Sequence, residues 1–154
     1  EAGSKLSGNG NTNADPEILV AISGLAVSLG AADITEIEFV TTTFSKAAGV
    51  TLTVDVRFNE EVTVTGTPQL TVVNDQRANH TLAYASGSGS NELRFQLAIG
   101  ANNAATNAGD VLSIGANAMA LNGGTVKDKG TNTDSTITNA ASIGTAAGTI
   151  TVAA

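Results

Sequence analysis

The chain has 154 residues, a formal net charge of −7 and only 7 Lys and Arg residues against 14 Asp and Glu residues. This length suits one hydrophobic core, and the acidic balance leaves no basic cluster for a nucleic acid or an acidic membrane surface to bind. Because cysteine is absent, a disulfide scaffold, a thiolate zinc site and a cysteine nucleophile are excluded.

Residues 1–33 are predicted to form a polar tether followed by an apolar arm. Residues 1–16 are rich in Gly, Ser, Asn, Asp and Thr, a composition that cannot offset its own ordering entropy. Apolar side chains then alternate along the chain, which predicts one or two strands that are too short to span a bilayer. The alternating residues are the candidates for an assembly arm: Ile18, Val20, Ile22, Leu25, Val27 and Leu29.

The next segments predict strands, and the alternating pattern is clearest at residues 50–58. Residues 34–44 are rich in Thr and Ile, which favours a strand. Residues 50–58 alternate strictly between apolar and polar side chains, the pattern of a strand with one buried face. Residues 62–64 and 70–72 alternate again on either side of Gly66 and Pro68, and this predicts two short strands joined by a bend.

Residues 80–85 and 93–99 predict a hairpin closed by the Ser- and Gly-rich turn between them. Residues 111–119 hold further core candidates, and a turn is expected at 122–124. The last β segments are marked by their apolar residues Val126, Ile137, Ile143, Ile150 and Val152. Strands that recur about every 8–12 residues are typical of a β-sandwich, which is predicted for residues 34–154.

Several blocks in this region resemble a known domain family. They are VTLTVDVRF at 50–58, NEEV at 59–62, TVTGTPQL at 63–70, YASGSGS at 84–90, LRF at 93–95 and LNGGTVKD at 121–128. Together they resemble a bacterial immunoglobulin-like (Big/SwmB-like) domain. NEEV stands where a Ser-Glu-Pro-Val type of sequence is common, and KGTN at 129–132 replaces the Ala-Gly-Asn of the family. The resemblance implies an all-β, immunoglobulin-like β-sandwich, of a kind found in tandem in bacterial surface adhesins and singly in structural proteins of tailed phages.

Residues that could support catalysis are sparse. The single histidine, His80, excludes a three-histidine zinc site and is interpreted as a surface or strand-edge residue. Glu60 and Glu61 are adjacent, so on a strand they point to opposite faces and do not form a carboxylate pair with each other. No catalytic or cofactor-binding residue is therefore assigned, and the chain is not expected to be an enzyme.

Two other kinds of chemistry remain open. Asp128 and Asp134 lie in a polar loop and could supply oxygen ligands to calcium, the only cofactor considered, although no EF-hand spacing accompanies them. Lys46, Lys127 and Lys129, together with the many Asn residues, raise the alternative of an internal isopeptide cross-link.

These features favour a non-enzymatic structural or interaction protein. The first hypothesis is an exposed phage virion component, a capsid decoration or tail protein, anchored by its N-terminal arm and assembled with copies of itself or with other virion proteins. The alternative is a module of a bacterial surface adhesin or extracellular filament, which would place it at the cell surface. A glycan-binding module is less favoured because the chain has no Trp and one Tyr.

Overall fold

The computed structural model describes residues 30–154, and residues 31–154 form one compact unit. The all-β class is confirmed for this part of the chain, because almost all of its regular structure is strand. The strands are β1 (Ile34–Phe39), β2 (Phe44–Ser45), β3 (Val50–Thr65), β4 (Gln69–Asn74), β5 (His80–Ser86), β6 (Ser90–Ile99), β7 (Val111–Ser113), β8 (Met119–Ala120), β9 (Thr125–Asp128) and β10 (Thr149–Ala153). A short helix, α1, spans Ala141–Ala146.

The strands form a curled mixed sheet with the order β1-β3-β6-β5-β4-β7-β10-β2. Two short strands lie beside this path, since β8 pairs with β4 and β9 pairs with β3. All of these pairs are antiparallel except β10 with β2, which is parallel. The path therefore begins at β1 and ends at β2, and β10, the last strand in the chain, lies between β7 and β2.

Strand β3 organises the sheet because it changes partners along its length. Its first half pairs with β1 and β6, and its second half pairs with β9. The predicted separation into strands at 50–58 and 62–64 is wrong, since β3 is continuous through the polar residues 59–61. The register of β3 with β6 shifts between Arg57 and Val62, and this irregularity accommodates the polar stretch without ending the strand.

The core is one cluster of Val, Leu, Ile and Phe side chains drawn from most of the strands. Strand β3 contributes its alternate apolar residues, and Leu52, Val54 and Val56 are fully buried. Leu112 and Ile150, which pair across β7 and β10, belong to the same cluster. The period-2 pattern read from the sequence thus identifies the buried face correctly.

The other face of β3 is more buried than its polar residues suggest. Asp55 is 4% exposed because the guanidinium of Arg94, its cross-strand partner, covers it. Arg94 Nε donates to Asp55 Oδ1 at 2.8 Å and Nη2 donates to Oδ2 at 2.6 Å, a two-point contact that satisfies the buried carboxylate.

Two of the predicted late β segments are not strands. Ile143 lies in α1, and Ile137 lies in an irregular segment before it, although both pack against the core. The small residues around Ile143 permit a close approach, because a Cβ at Gly144 would collide with the backbone carbonyl of Ile114. Residue size, which the strand pattern does not report, allows the helix to pack closely here.

Candidate functional site

The surface formed by residues 30–154 has no pocket. Sites for small molecules are concave and enclose most of their ligand. Within these residues, a candidate site is therefore sought among charged or polar groups that lack an N–H, hydroxyl or cationic partner. One such group lies where β3 meets β9.

Glu60 and Asp128 come together at this junction. Val62 on β3 pairs with Asp128, the last residue of β9. Glu60 is two residues before Val62, so Glu60 and Asp128 are diagonal neighbours on one face of the sheet. Glu60 is half-buried, and Asp128 is 1% exposed.

The two oxygens of the Asp128 carboxylate differ in their surroundings. Oδ1 accepts the Thr131 backbone N–H at 2.7 Å and the Thr131 hydroxyl at 3.1 Å. The hydrogen bond from the Thr131 backbone holds the pKa of Asp128 below its ordinary value, against the opposing effect of burial. Oδ2 is buried and has no N–H or hydroxyl donor in residues 30–154.

Glu60 has the opposite tendency. A hydrogen bond between its carboxyl group and Asp128 raises the pKa of Glu60, and burial and the negative charges of Asp128 and Asp33 raise it further. Asp33 reaches this junction because its N–H donates to Asn59 Oδ1 at 2.8 Å. The junction, called the acidic corner below, is defined by Asp33, Glu60 and Asp128.

The structure does not bring the two predicted calcium ligands together. Asp134 is highly exposed, and its Oδ1 lies 2.9 Å from Lys127 Nζ. The partner of Asp128 is Glu60 instead, which was not among the predicted ligands. Within residues 30–154 no group of three or more His, Asp or Glu side chains could hold a metal ion. The predicted arm residues, Ile18, Val20, Ile22, Leu25, Val27 and Leu29, lie outside the described residues.

The prediction of a surface position for His80 is wrong, since His80 is 5% exposed. Asn74 Nδ2 lies 3.3 Å from His80 Nε2 and donates to Asp110 Oδ2 at 3.1 Å. Asn74 Oδ1 is occupied by two backbone N–H groups, so the Asn74 amide nitrogen faces the ring and Nε2 is the acceptor. Burial lowers the pKa of His80, although the charge of Asp110 opposes the shift.

His80, Asn74 and Asp110 belong to one hydrogen-bonded network, and the charged groups of this network are also paired. Arg77 Nε lies 3.3 Å from Asp110 Oδ2, and the Asn107 N–H donates to the same oxygen at 2.9 Å. Burial favours protonation of Asp110, but the hydrogen bonds from Asn74 and Asn107 outweigh it and hold the Asp110 pKa low. The network joins the end of β4, the start of β5 and the residue before β7, and Arg77 forms its solvent-exposed side.

The three lysines considered for an isopeptide bond contact oxygen atoms. Lys46 Nζ donates to the carbonyls of Asn103 and Thr106. Lys127 pairs with Asp134, and Lys129 pairs with Glu61 at 2.7 Å on the surface. A cross-link needs a lysine buried against an amide side chain, and these contacts do not provide one.

No helix within residues 30–154 is long and apolar enough to cross a bilayer. A comparison of the chain with protein-family models, with curated proteins and with solved structures returns no significant match. Function is therefore inferred from the fold and from the side chains themselves.

Proposed function

We propose that this chain is a non-enzymatic structural module, an immunoglobulin-like sandwich displayed on a phage virion and anchored through its N-terminal arm. The strand order is the observation that supports the fold. The arm, an alternating apolar segment behind a polar tether, supports the role in assembly.

The strand order corresponds to that of an immunoglobulin constant-type domain. Such domains place strands A, B, E and D in one sheet and strands C, F and G in the other. If β1, β3, β4, β5, β6, β7 and β10 are taken in chain order as A to G, the path reads A-B-E-D and then C-F-G. The D and C strands also pair, which joins the two halves into one curled sheet.

A structural role fits the distribution of side chains better than a chemical one. The one histidine is buried, and several charged groups of residues 30–154 pair across neighbouring strands. Folds of this type display unrelated activities on one scaffold, so the specific role must come from segments added to it. Here the added segment is the arm, since an extended apolar strand can pair with the edge of a neighbouring sheet.

The test is the mass of the chain in solution, measured by light scattering with and without the arm. The deletion should remove residues 1–29 and no more, because Ala32 O accepts the Thr136 N–H and Asp33 forms a β-bridge with Thr136. We expect the full chain to form a defined oligomer and the truncated chain to be a folded monomer.

A matched control deletes only the polar residues 1–16 and keeps the apolar arm. This variant should retain the oligomer, which separates loss of the arm from loss of chain length. If the full chain is itself a monomer, or if the deletion of residues 1–29 leaves the oligomer intact, anchoring by the arm is wrong. A monomer in every case would favour the alternative of one module in a larger surface adhesin.

A further inference from the structure

The acidic corner concentrates negative charge without a compensating cation in residues 30–154. The nearby Lys129 is engaged elsewhere, because its Nζ contacts Glu61 Oε1 at 2.7 Å and the Gly89 carbonyl at 3.3 Å. Lys127 pairs with Asp134, and Arg57 pairs with Glu36, Glu38 and Glu92. The ion pairs of this part of the chain thus leave Glu60 and Asp128 without a positive partner.

The buried oxygen of Asp128 makes this arrangement unusual. A carboxylate oxygen removed from water and given no donor costs free energy, so buried carboxylates are normally paired or coordinate a metal. Asp128 Oδ2 has no donor in residues 30–154, and the neighbouring group is another carboxylate. By contrast, Asp55 and Asp110, the other buried acidic residues between positions 30 and 154, are each contacted by an arginine.

We propose that Glu60 and Asp128 Oδ2 bind a partly hydrated divalent cation of the Ca²⁺ type. Hard cations of this class take carboxylate oxygens, and such ions can be held by two carboxylates with water completing the shell. Glu60 is half-buried and Asp33 is exposed, so one side of the corner is open to water. The charge of Asp33 strengthens the attraction without requiring a third ligand.

The competing explanation is a proton shared between the two carboxyl groups. A shared proton would satisfy Oδ2 equally well, and the corner would then gain nothing from a cation. The two explanations differ at neutral to slightly alkaline pH, where a proton is scarce and a divalent cation can be supplied at will.

The test uses the full chain, freed of metal with a chelator and held at neutral to slightly alkaline pH. Thermal unfolding is followed by circular dichroism with added CaCl₂ or MgCl₂, and with NaCl at matched ionic strength. We expect the unfolding midpoint to rise with CaCl₂ and to continue rising with its logarithm above the dissociation constant, as binding to the folded state alone requires. Calorimetric titration of the same sample should show binding directly.

The variant Glu60→Gln separates ligand loss from damage to the fold. The Gln amide can donate to Asp128 Oδ2, so this variant should be at least as stable as the wild type in the metal-free state. It should also bind Ca²⁺ at least about tenfold more weakly, since changes outside the ligand shell already have effects of that size. Asp134→Asn is the matched control, because Asp134 is exposed and paired with Lys127, and it should keep the full response.

A wild-type chain that responds to CaCl₂ and MgCl₂ no more than to NaCl would overturn the proposal, and it would leave the shared proton as the explanation. A Glu60→Gln variant that binds Ca²⁺ like the wild type would overturn it as well. Neither result depends on whether the chain assembles through its arm.

Discussion

At the scale of single residues, the buried acidic groups of this chain are stabilised in different ways. Asp55 is held by the two-point contact with Arg94, and Asp110 is held by Arg77 and the Asn74 amide. Asp128 has donors for one oxygen only. Because a buried charge is costly unless it is paired, the carboxylate oxygen that lacks a donor is the most informative about binding.

His80 makes the stability of the fold dependent on pH. Its folded pKa lies below the ordinary value of 6.5, so an unfolded chain binds a proton more readily than the folded chain. The stabilisation is therefore fully present above about pH 6.5 and is lost as the pH falls through the folded pKa. Protonation would also place a ring N–H against the Asn74 amide N–H.

The measurement is the free energy of unfolding by urea between about pH 7.5 and pH 5.5, a range that spans the ordinary histidine pKa. We expect the wild type to lose more stability on acidification than His80→Gln, whose side-chain oxygen can accept from Asn74 and cannot be protonated. The carboxylates titrate in both proteins, so the difference between the two curves removes their contribution to the pH dependence. This includes Glu60, whose raised pKa makes stability fall as the pH rises. Parallel curves for the two proteins would show that His80 does not cause the dependence.

At the scale of elements, local patterns predict the strands but not their partners. The alternation in β3, β5 and β6 is visible in the sequence because the large apolar side chains of each strand lie on its core face. The continuity of β3 through residues 59–61 is not visible, since it depends on a change of partner from β1 to β9 along one edge of β3, while β6 pairs along the other edge as far as Val62. Glu60 and Asp128 meet for the same reason, so only the register of β3 with β9 reveals the acidic corner.

The turn between β2 and β3 requires glycine at position 49. Gly49 has φ +74° and donates its N–H to the Ser45 carbonyl, and a Cβ there would lie 2.5 Å from the Ile99 carbonyl oxygen. Gly49→Ala should therefore reduce the free energy of unfolding by about 1–3 kcal/mol, the cost of a strained backbone. The control is Gly100→Ala, because no atom lies near a Cβ at that position, and it should be close to neutral by urea unfolding. Equal effects of the two changes would contradict this account.

At the scale of the whole molecule, the curled sheet encloses one core to which both halves contribute. Leu93 and Phe95 of β6 belong to the same buried cluster as Leu112 of β7 and Ile150 of β10. A domain of this size with one continuous core is expected to unfold in a single cooperative step. A destabilising substitution near one end of the strand order should therefore also lower the stability of strands far along that order.

Ile150→Ala tests this cooperativity. Ile150 is 3% exposed and pairs with Leu112, so truncation should cost about 2–5 kcal/mol. Thr151→Ala, at the exposed neighbouring position of β10, should stay within about 0.5 kcal/mol of the wild type.

The chain carries its own local probe for this experiment. Tyr84 is the only tyrosine and no tryptophan is present, so intrinsic fluorescence reports on the contact between β5 and β6, where the Tyr84 and Phe95 rings meet edge to face at 6.1 Å. Far-UV circular dichroism reports on the whole sheet. If the core is continuous, Ile150→Ala must shift the urea midpoints of both signals by the same amount, although β10 and β5 are separated by β4 and β7. A fluorescence midpoint that stays at the wild-type value while the dichroism midpoint falls would mean that the two halves of the sheet unfold independently.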